Sequence, residues 1–350
     1  MLLNSTSLLH ISALLVSFLL VRPSLAFIGP HLAIHHMPTS QRLSKNLISV
    51  EEALTLWNEQ RNATPQNVVF VDGSWYHKDQ NGGTGRTSFE TGPRLPKARY
   101  LDMDDICCHS DLFPTRNPKG LPHMLPPPDL FSKVMDAFTI SNHDHIIVYG
   151  RNKDVIFTPR TWFLFRTMGH ESVHLMQGSL EDWKQAGGHV DTDPVIVPNA
   201  RDIWFQSSST TTRSYQAKTP SNVVNMQDVL KSLNTNDAII VDPRGSSFKL
   251  QGHIPGAIHI PYSEFVEPDH TLKLKSKQNL QQLFEQAGID VTTKKTIIAT
   301  CGSGVSVCHV ALALEECGRD FQETKIYDGS WAEWGDDPRT PKVLPQRGPN

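Results

Sequence analysis

An internal duplication is the feature that most constrains the fold of this 350-residue chain. Residues 147–150 (IVYG) match residues 298–301 (IATC), and a Gly-Ser-x-x-x-Trp motif that begins at Gly178 returns at Gly329. Both pairs are separated by 151 residues. A constant spacing of this kind indicates a repeated structural unit. The length agrees, because about 100 to 200 residues per domain predicts two domains.

Each copy alternates helical segments with apolar strands. Ser49 and Asn225 are each predicted to cap a helix. In both copies an apolar strand follows and ends in an aspartate, Asp72 in the first and Asp242 in the second. The alternation predicts an α/β fold of two tandem domains, each a parallel sheet with helices on both faces. Ligands of such sheets bind at the carboxyl ends of the strands.

Composition along the chain indicates where the domains begin and end. Residues 192–222 contain prolines and the polar run SSSTTTRSYQ, which predicts an exposed linker. We therefore assign the first domain to residues 47–191 and the second to residues 223–337. Residues 338–350 contain several prolines and are expected to form a loose tail.

The first 46 residues have the composition of a targeting presequence. Residues 1–26 contain an apolar run of the length of a signal-peptide core, and small residues at its end fit cleavage before Phe27. Residues 27–46 lack acidic side chains and resemble a transit peptide. This order resembles the two-part presequences of secondary plastids, so we expect an organellar protein, with a plastid favoured and the mitochondrion as the alternative. A membrane anchor is the competing interpretation, but the run is short and no stable span is expected in the mature protein.

Charge and cysteine content disfavour several classes of protein. The chain has 33 basic and 36 acidic residues and a formal net charge of −3, so it lacks the positive field that binds nucleic acid. Its five cysteines are odd in number and form no Cys-x-x-Cys motif, which disfavours a disulfide framework and a four-cysteine zinc site. Free thiols and a reducing compartment are expected. Cys107 and Cys108 are adjacent, and no role is assigned to them.

One cysteine has a sequence context that predicts a nucleophile. Cys301 follows the predicted strand 296–300, precedes the loop 302–306 (GSGVS) and is followed by a predicted helix from Val307. Such a loop directs backbone N–H groups and the positive end of the helix dipole toward the sulfur, which stabilises a thiolate or persulfide. The alternative is an inert core cysteine. Cysteine phosphatases need an arginine where Val307 stands, so that class is disfavoured.

The ordered motifs resemble the two-domain rhodanese family of sulfurtransferases, and within it the 3-mercaptopyruvate branch. They extend from about Leu47 to Trp334. In chain order they are Val71-Asp-Gly-Ser-Trp-Tyr76, Gly92-Pro-Arg-Leu-Pro-Lys-Ala98, His123-Met-Leu-Pro126, Gly252-His-Ile-Pro-Gly-Ala257, Cys301-Gly-Ser-Gly-Val305 and Tyr327-Asp-Gly-Ser-Trp331-Ala-Glu-Trp334.

The resemblance implies a double-displacement reaction on Cys301. The thiolate takes a sulfur atom from a small-molecule donor as a persulfide and passes it to a thiol, cyanide or a thioredoxin-like protein, without a metal or another cofactor. Ser303 is expected to handle a proton. The remaining residues expected to bind the persulfide or the substrate are Gly302, Gly304, Val305, Ser306, Arg244 and Lys249.

Arg244 matches the substrate arginine of the family and is expected to bind the donor carboxylate. Pairing with Asp242 is the alternative. Lys249 is the one candidate for a second basic residue nearby. The first half departs from the family: Arg94 begins the stretch Arg-Leu-Pro-Lys where the branch has His-Ile-Pro-Gly, and no His/Asp relay pair is found. Gly150 occupies the cysteine position there, so we expect that half to be structural and to complete the cleft.

Three functions remain open. The neutral loop after Cys301 favours transfer from 3-mercaptopyruvate, because the thiosulfate-preferring branch carries cationic side chains there. Thiosulfate:cyanide sulfurtransferase activity is the enzyme alternative, and a noncatalytic persulfide carrier for a protein partner is the other. His253 is interpreted as a turn residue rather than a base. The oligomeric state is not predicted.

Overall fold

The structure, a computed structural model, describes six ranges of the chain: residues 46–60, 67–75, 84–151, 157–206, 215–268 and 270–345. The predicted presequence lies outside the described residues, apart from Asn46. Within these ranges, no helix combines the length and the apolar character that a membrane span requires.

The first half of the chain alternates strands and helices from Leu47 onward. Its elements are β1 (Leu47–Ser49), α1 (Val50–Gln60), β2 (Val68–Asp72), α2 (Gly85–Thr91), β3 (Arg99–Tyr100), α3 (Pro128–Ala137), β4 (His145–Gly150), α4 (Thr158–Thr167), β5 (Val173–Ser179), α5 (Leu180–Gln185) and α6 (Ala200–Phe205). The five strands are parallel and have the order β1-β5-β4-β2-β3.

The second half repeats this arrangement. Its elements are β6 (Val223–Val224), α7 (Met226–Thr235), β7 (Ala238–Asp242), α8 (Ser247–Gln251), β8 (Ile258–His259), a 3₁₀ turn (Tyr262–Phe265), β9 (Val266–Glu267), β10 (His270–Leu274), α9 (Lys277–Gln286), β11 (Thr296–Ala299), α10 (Val307–Glu316), a second 3₁₀ turn (Phe321–Glu323), β12 (Thr324–Tyr327) and α11 (Ser330–Trp334). The parallel sheet has the order β6-β12-β11-β7-β8, and β9 and β10 form an antiparallel pair. The corresponding strand orders confirm the predicted duplication.

Each sheet is covered on both faces, as predicted. Successive side chains of a strand point to opposite faces. In β4, Ile146 and Val148 pack with α3 and α4, whereas Ile147 and Tyr149 pack with α1 and α5. In β11, Ile297 packs with α9 and α10, and Ile298 packs with α7. A strand buried on both faces consists largely of apolar residues, which explains the uninterrupted apolar runs in the sequence.

The two halves share one apolar core. Trp162 and Phe163 of α4 lie with their ring centroids 5.7 and 5.5 Å from that of Phe321, in the second half. One continuous cluster of buried residues contains apolar side chains of both α4 and α10. Because α10 begins directly after the cysteine loop, this packing brings the loop against the first half of the chain.

Both predicted helix caps are present. The N–H of Ser49 donates to the Glu52 carboxylate at 2.8 Å, and Ser49 Oγ accepts the N–H of Glu52 at 3.1 Å. Asn225 Oδ1 accepts the N–H groups of Gln227 and Asp228 at 2.8 and 3.1 Å. These contacts join residues at most three positions apart, which is why the sequence alone indicated them.

The linker and the tail are packed more closely than their composition indicated. Within the linker, Ile203 of α6 and Tyr215 are buried, and the Tyr215 ring lies 5.6 Å from Phe131. In the tail, Pro341 O accepts the indole N–H of Trp334 at 2.8 Å, and Val343 pairs with His253 through two backbone hydrogen bonds. These contacts anchor single residues of the linker and the tail, although most of the described linker residues are exposed. Residues 207–214 and 346–350 lie outside the described residues.

Candidate active site

Cys301 lies just beyond the carboxyl end of β11 and is 2% exposed. Its N–H donates to Ser330 Oγ at 3.1 Å, and its carbonyl accepts the N–H of Trp331 at 2.9 Å. Ser330 has φ +50°, uncommon for a non-glycine residue, and its hydroxyl donates to Tyr327 O at 2.7 Å. The segment after β12 therefore fixes the backbone of Cys301 from both sides.

The loop after Cys301 presents unpaired amides. Within the described ranges, the main-chain N–H groups of residues 302–306 donate no hydrogen bond to another protein group. Gly304 has φ +79°, and a Cβ built there would lie 2.6 Å from Asp328 Oδ1, so only glycine fits. The loop leads directly into α10, whose N-terminus carries a partial positive charge. The arrangement can stabilise negative charge on a sulfur atom at Cys301, as a thiolate or a persulfide requires.

A histidine and an aspartate of the first half meet the loop serine. His123 Nδ1 lies 2.9 Å from Ser303 Oγ, and His123 Nε2 lies 3.1 Å from Asp104 Oδ1. Trp75 donates its indole N–H to the other Asp104 oxygen at 2.6 Å. Partial burial acts to raise the pKa of Asp104, but hydrogen bonds from His123 and Trp75 outweigh it and hold that pKa below its ordinary value. An ionised Asp104 orients the His123 ring toward Ser303.

The structure thus brings together a His/Asp pair that could not be matched in the sequence. His123 is 180 residues from Ser303, and it belongs to a different segment from the Arg94 stretch where a relay histidine was sought. The signal present in the sequence is the His123-Met-Leu-Pro126 motif. Nothing local connects that motif with Asp104, because only the folded chain places the two side chains together.

Arg244 is placed by its own strand end. Its Nε and Nη2 bind both carboxylate oxygens of Asp242 at 2.8 to 3.0 Å, and Nη2 also donates to Gly252 O at 2.9 Å. The guanidinium lies over the rings of Phe248 and Trp331, 5.7 and 5.0 Å from their centroids. Among the described residues, the buried Nη1 has no hydrogen-bond partner. Pairing with Asp242 is thus realised, and Nη1 is the guanidinium nitrogen that this pairing leaves unused.

Two other residues considered from the sequence lie on α8 and in the turn that follows it. Lys249 is exposed on α8. The ring of His253 stacks on Phe248 with 4.1 Å between centroids, and its main chain pairs with Val343. This geometry agrees with the interpretation of His253 as a turn residue.

The first half carries no cysteine loop at the equivalent position. Arg151, next to Gly150, places Nη1 3.4 Å from Asp72 Oδ2 and donates from Nη2 to Ser88 O at 2.7 Å. Arg94 is also internal to this half: it is buried, and its Nη2 donates to Asp193 O at 2.6 Å. Neither arginine is presented to an anionic substrate at the Cys301 loop.

The other four cysteines have the properties of core residues. All are buried, and none forms a disulfide. Burial raises the pKa of Cys107 and Cys308 to about 12 and that of Cys108 and Cys317 to about 11. These thiols are protonated at neutral pH, so they are poor nucleophiles.

Comparison with known proteins agrees with this architecture. The rhodanese-like domain family matches residues 86–186 and 225–337. The chain belongs to the rhodanese family. The 3-mercaptopyruvate sulfurtransferase of Escherichia coli (strain K12) is 32% identical over 252 residues, which cover 69% of this chain and 80% of that protein.

Two further relatives support the assignment to this family. Thiosulfate/3-mercaptopyruvate sulfurtransferase 1, mitochondrial, of Arabidopsis thaliana is 28% identical over 342 residues, 91% of this chain and 84% of that protein. The crystal structure of SseA from Escherichia coli, a 3-mercaptopyruvate sulfotransferase with the rhodanese fold, matches with a TM-score of 0.64 and 27% identity, covering 81% of this chain and 98% of SseA. The predictions of a rhodanese fold and of a sulfurtransferase enzyme are confirmed.

Proposed function

We propose that the protein moves sulfane sulfur from 3-mercaptopyruvate, through a persulfide on Cys301, to a nucleophilic acceptor. The observation that carries this proposal is the Ser303–His123–Asp104 chain of contacts beside a neutral loop of unpaired amides. A donor whose carbon–sulfur bond is cleaved leaves an enolate that must be protonated, and this chain of contacts can supply that proton.

The first half-reaction forms a sulfur–sulfur bond. The Cys301 thiolate attacks the donor sulfur, the carbon–sulfur bond breaks, and its electron pair leaves on carbon as the enolate of pyruvate. Ser303 donates the proton that converts the enolate into pyruvate, and His123 replaces it. Cys301 then carries the transferred sulfur with the hydrogen of the donor thiol, as a persulfide. The loop amides stabilise the negative charge that a persulfide carries when it ionises.

The second half-reaction returns the enzyme to its starting state. The acceptor thiol loses its proton, which replaces the one that His123 gave up, and the resulting thiolate attacks the outer sulfur of the persulfide. The sulfur–sulfur bond breaks, the acceptor keeps the transferred sulfur as its own persulfide, and Cys301 leaves as a thiolate. We propose a small thiol or a thioredoxin-like protein as the acceptor, with cyanide as an artificial one. Arg244 Nη1, Lys249 and the amides of residues 302–306 are the groups that we propose to bind the donor.

The donor is tested by steady-state kinetics with 3-mercaptopyruvate and with thiosulfate, each with a thiol and with cyanide. We expect the higher kcat/KM for 3-mercaptopyruvate, and no turnover by Cys301→Ser. A preference for thiosulfate would favour the thiosulfate:cyanide activity instead. Binding of persulfide without turnover of either small donor would favour the carrier.

We also propose that the protein acts in an organelle, with a plastid favoured over the mitochondrion. The two-part composition of residues 1–46 supports this proposal. The relative from Arabidopsis thaliana is named as mitochondrial, which keeps the alternative in view. A fluorescent protein fused after residue 46 tests it: plastid fluorescence is expected, and cytosolic fluorescence would contradict any organellar address.

A further inference from the structure

One buried arginine of the first half contacts the catalytic half at two points and the segment of His123 at a third. Arg160 lies on α4 and is 4% exposed. Its Nη1 donates to Gly304 O at 2.8 Å, and its Nη2 donates to His123 O at 2.6 Å. Nη2 also lies 3.1 Å from Asp328 Oδ1. A single guanidinium therefore joins the cysteine loop, the segment that carries the relay histidine and the end of β12.

Asp328 completes this connection. It is buried, directly after β12, and its Oδ2 accepts the N–H of Leu125 at 2.6 Å. The Arg160–Asp328 pair thus holds the main chain on both sides of Met124, through His123 O and Leu125 N. Charge-assisted hydrogen bonds between a planar guanidinium and a carboxylate are directional, so they impose a geometry as well as an attraction.

The contact with Gly304 orients an amide of the cysteine loop. The C=O and the next N–H of a trans peptide unit point in opposite directions. Because Gly304 O is directed at Arg160, the N–H of Val305 points away from Arg160. That N–H is one of the loop donors without a protein acceptor in the described ranges. Arg160 therefore determines the direction of a donor that the persulfide would use.

The contact with His123 acts on the relay. His123 has φ +59°, a conformation that is costly for a non-glycine residue and persists only where surrounding contacts impose it. Arg160 supplies such a contact at His123 O, and Asp328 supplies another at Leu125 N. In this conformation the imidazole reaches Ser303.

We propose that Arg160 is a positioning residue for sulfur transfer, which sets both the loop amide of Val305 and the ring of His123. The first domain, which lacks a cysteine at the catalytic-loop position, is then a working part of the active site, not only its support. This inference rests on the proposed role of Cys301 as the nucleophile.

The same helix offers a matched control. Arg166 also lies on α4 at the boundary between the halves, and it pairs with Glu315 of α10 at 2.8 Å. Its side chain is 9% exposed, against 4% for Arg160. Removal of Arg166 should weaken the packing of the halves without changing the contacts of the cysteine loop.

The test compares Arg160→Gln with Arg166→Gln in the full chain. Removal of one preorganised donor from an active site typically costs about 10²-fold in kcat, so we expect a loss of roughly 10- to 100-fold in Arg160→Gln with a smaller change in KM. The pH profile of Cys301 alkylation by iodoacetamide should move to higher pH. Arg166→Gln should lose thermal stability but retain the kcat and the alkylation profile of the unmodified protein.

A second variant covers the case in which Arg160→Gln does not fold. Arg160→Lys keeps a positive charge beside Asp328 but lacks the planar fork, so we expect it to fold and still show the loss of kcat. Arg160 variants that match Arg166→Gln in kcat and alkylation profile would overturn the inference. Activity that survives in Cys301→Ser would instead overturn the proposed function, so the two failures are distinguishable.

Discussion

Each half has a buried aspartate at the end of an equivalent strand, and an arginine pairs with it, but the arginine comes from a different loop in each half. In the first half the arginine comes from the loop after β4, where Arg151 contacts Asp72. In the second half it comes from the loop after β7, where Arg244 binds Asp242. The loop after β11, equivalent to the one that holds Arg151, is therefore free to carry Cys301. In both halves an arginine lies beside the aspartate at this strand end, and the two halves draw that arginine from different loops.

The first half nevertheless contributes to the site. It supplies His123, Asp104 and Arg160, all from segments outside its own unused loop. The second half thus supplies the nucleophile and its loop, and the first half supplies the groups that orient protons and amides. Four variants test this division, in decreasing order of expected effect.

Replacement of the relay histidine should give the largest effect. His123→Gln should lower kcat with 3-mercaptopyruvate by about 10²-fold, because general acid–base catalysis typically contributes 10² to 10⁴. Steady-state kinetics measure it, with His189→Gln as the control, since His189 of the same half also pairs with an aspartate, Asp191, but is exposed. Combination with Ser303→Ala should add little further loss, because residues that act as a unit are not additive. An unchanged kcat in His123→Gln would make the first half a passive support.

Arg151, in the loop after β4, should affect the stability of the protein and not its kcat. Arg151→Met leaves the carboxylate of Asp72 buried without its partner, which should lower the free energy of unfolding by roughly 3 to 5 kcal/mol in urea denaturation. Burial already raises the pKa of Asp72, so the loss should shrink as the pH falls and the carboxyl becomes protonated. The exposed Arg339, paired with Asp337, is the control: Arg339→Met should leave the free energy of unfolding nearly unchanged, because solvent screens an exposed ion pair. A large loss of kcat in folded Arg151→Met would contradict the division.

Acid should destabilise both halves through buried histidines. Burial lowers the pKa of His309 in α10 to about 4, and it also lowers the pKa of His145 and His170 in the first half. In the unfolded chain these histidines take up protons near pH 6.5, whereas in the folded protein they do so only at lower pH. Their contribution to the free energy of unfolding is therefore full above pH 6.5 and is lost as the pH falls through 4. Each unit by which the pKa of His309 is lowered corresponds to about 1.4 kcal/mol. His309→Gln should therefore reduce the change in the free energy of unfolding between pH 6.5 and 4 by a few kcal/mol. A residual slope should remain from the first half, and an unchanged slope would contradict the assignment to His309.

A surface lysine of the second half should give the smallest effect. Lys249→Met should raise the KM for 3-mercaptopyruvate by about two- to fivefold and leave kcat unchanged, because an exposed point charge contributes under about 1 kcal/mol. The effect should vanish at high salt. Lys231, exposed on α7, is the control, and equal effects of Lys231→Met and Lys249→Met would remove Lys249 from the donor site.

The sequence predicted what local patterns encode. Some features depend only on residues a few positions apart, so the sequence alone predicts them. They are the apolar strands, the caps at Ser49 and Asn225 and the contiguous loop after Cys301. The constant spacing of the duplicated motifs also predicted the two tandem domains. The pairing of Arg244 with Asp242, two residues away, is also a local contact, and the sequence indicates it as an alternative to substrate binding.

The rest depends on contacts that only the packed halves create. His123 reaches Ser303 across 180 residues of sequence, and Arg160 reaches Gly304 across 144. No periodicity or motif spacing encodes such a meeting. Proline-rich composition likewise indicated a loose tail, whereas Trp334 binds Pro341 through its indole N–H.

The central claim is that Cys301 carries the transferred sulfur. We would incubate the protein with 3-mercaptopyruvate in the absence of acceptor and locate the added mass by peptide mapping. The account predicts one additional sulfur atom on Cys301, which is lost when a thiol is added. Sulfur on another cysteine, or continued turnover with an unmodified Cys301 at every stage, would contradict it.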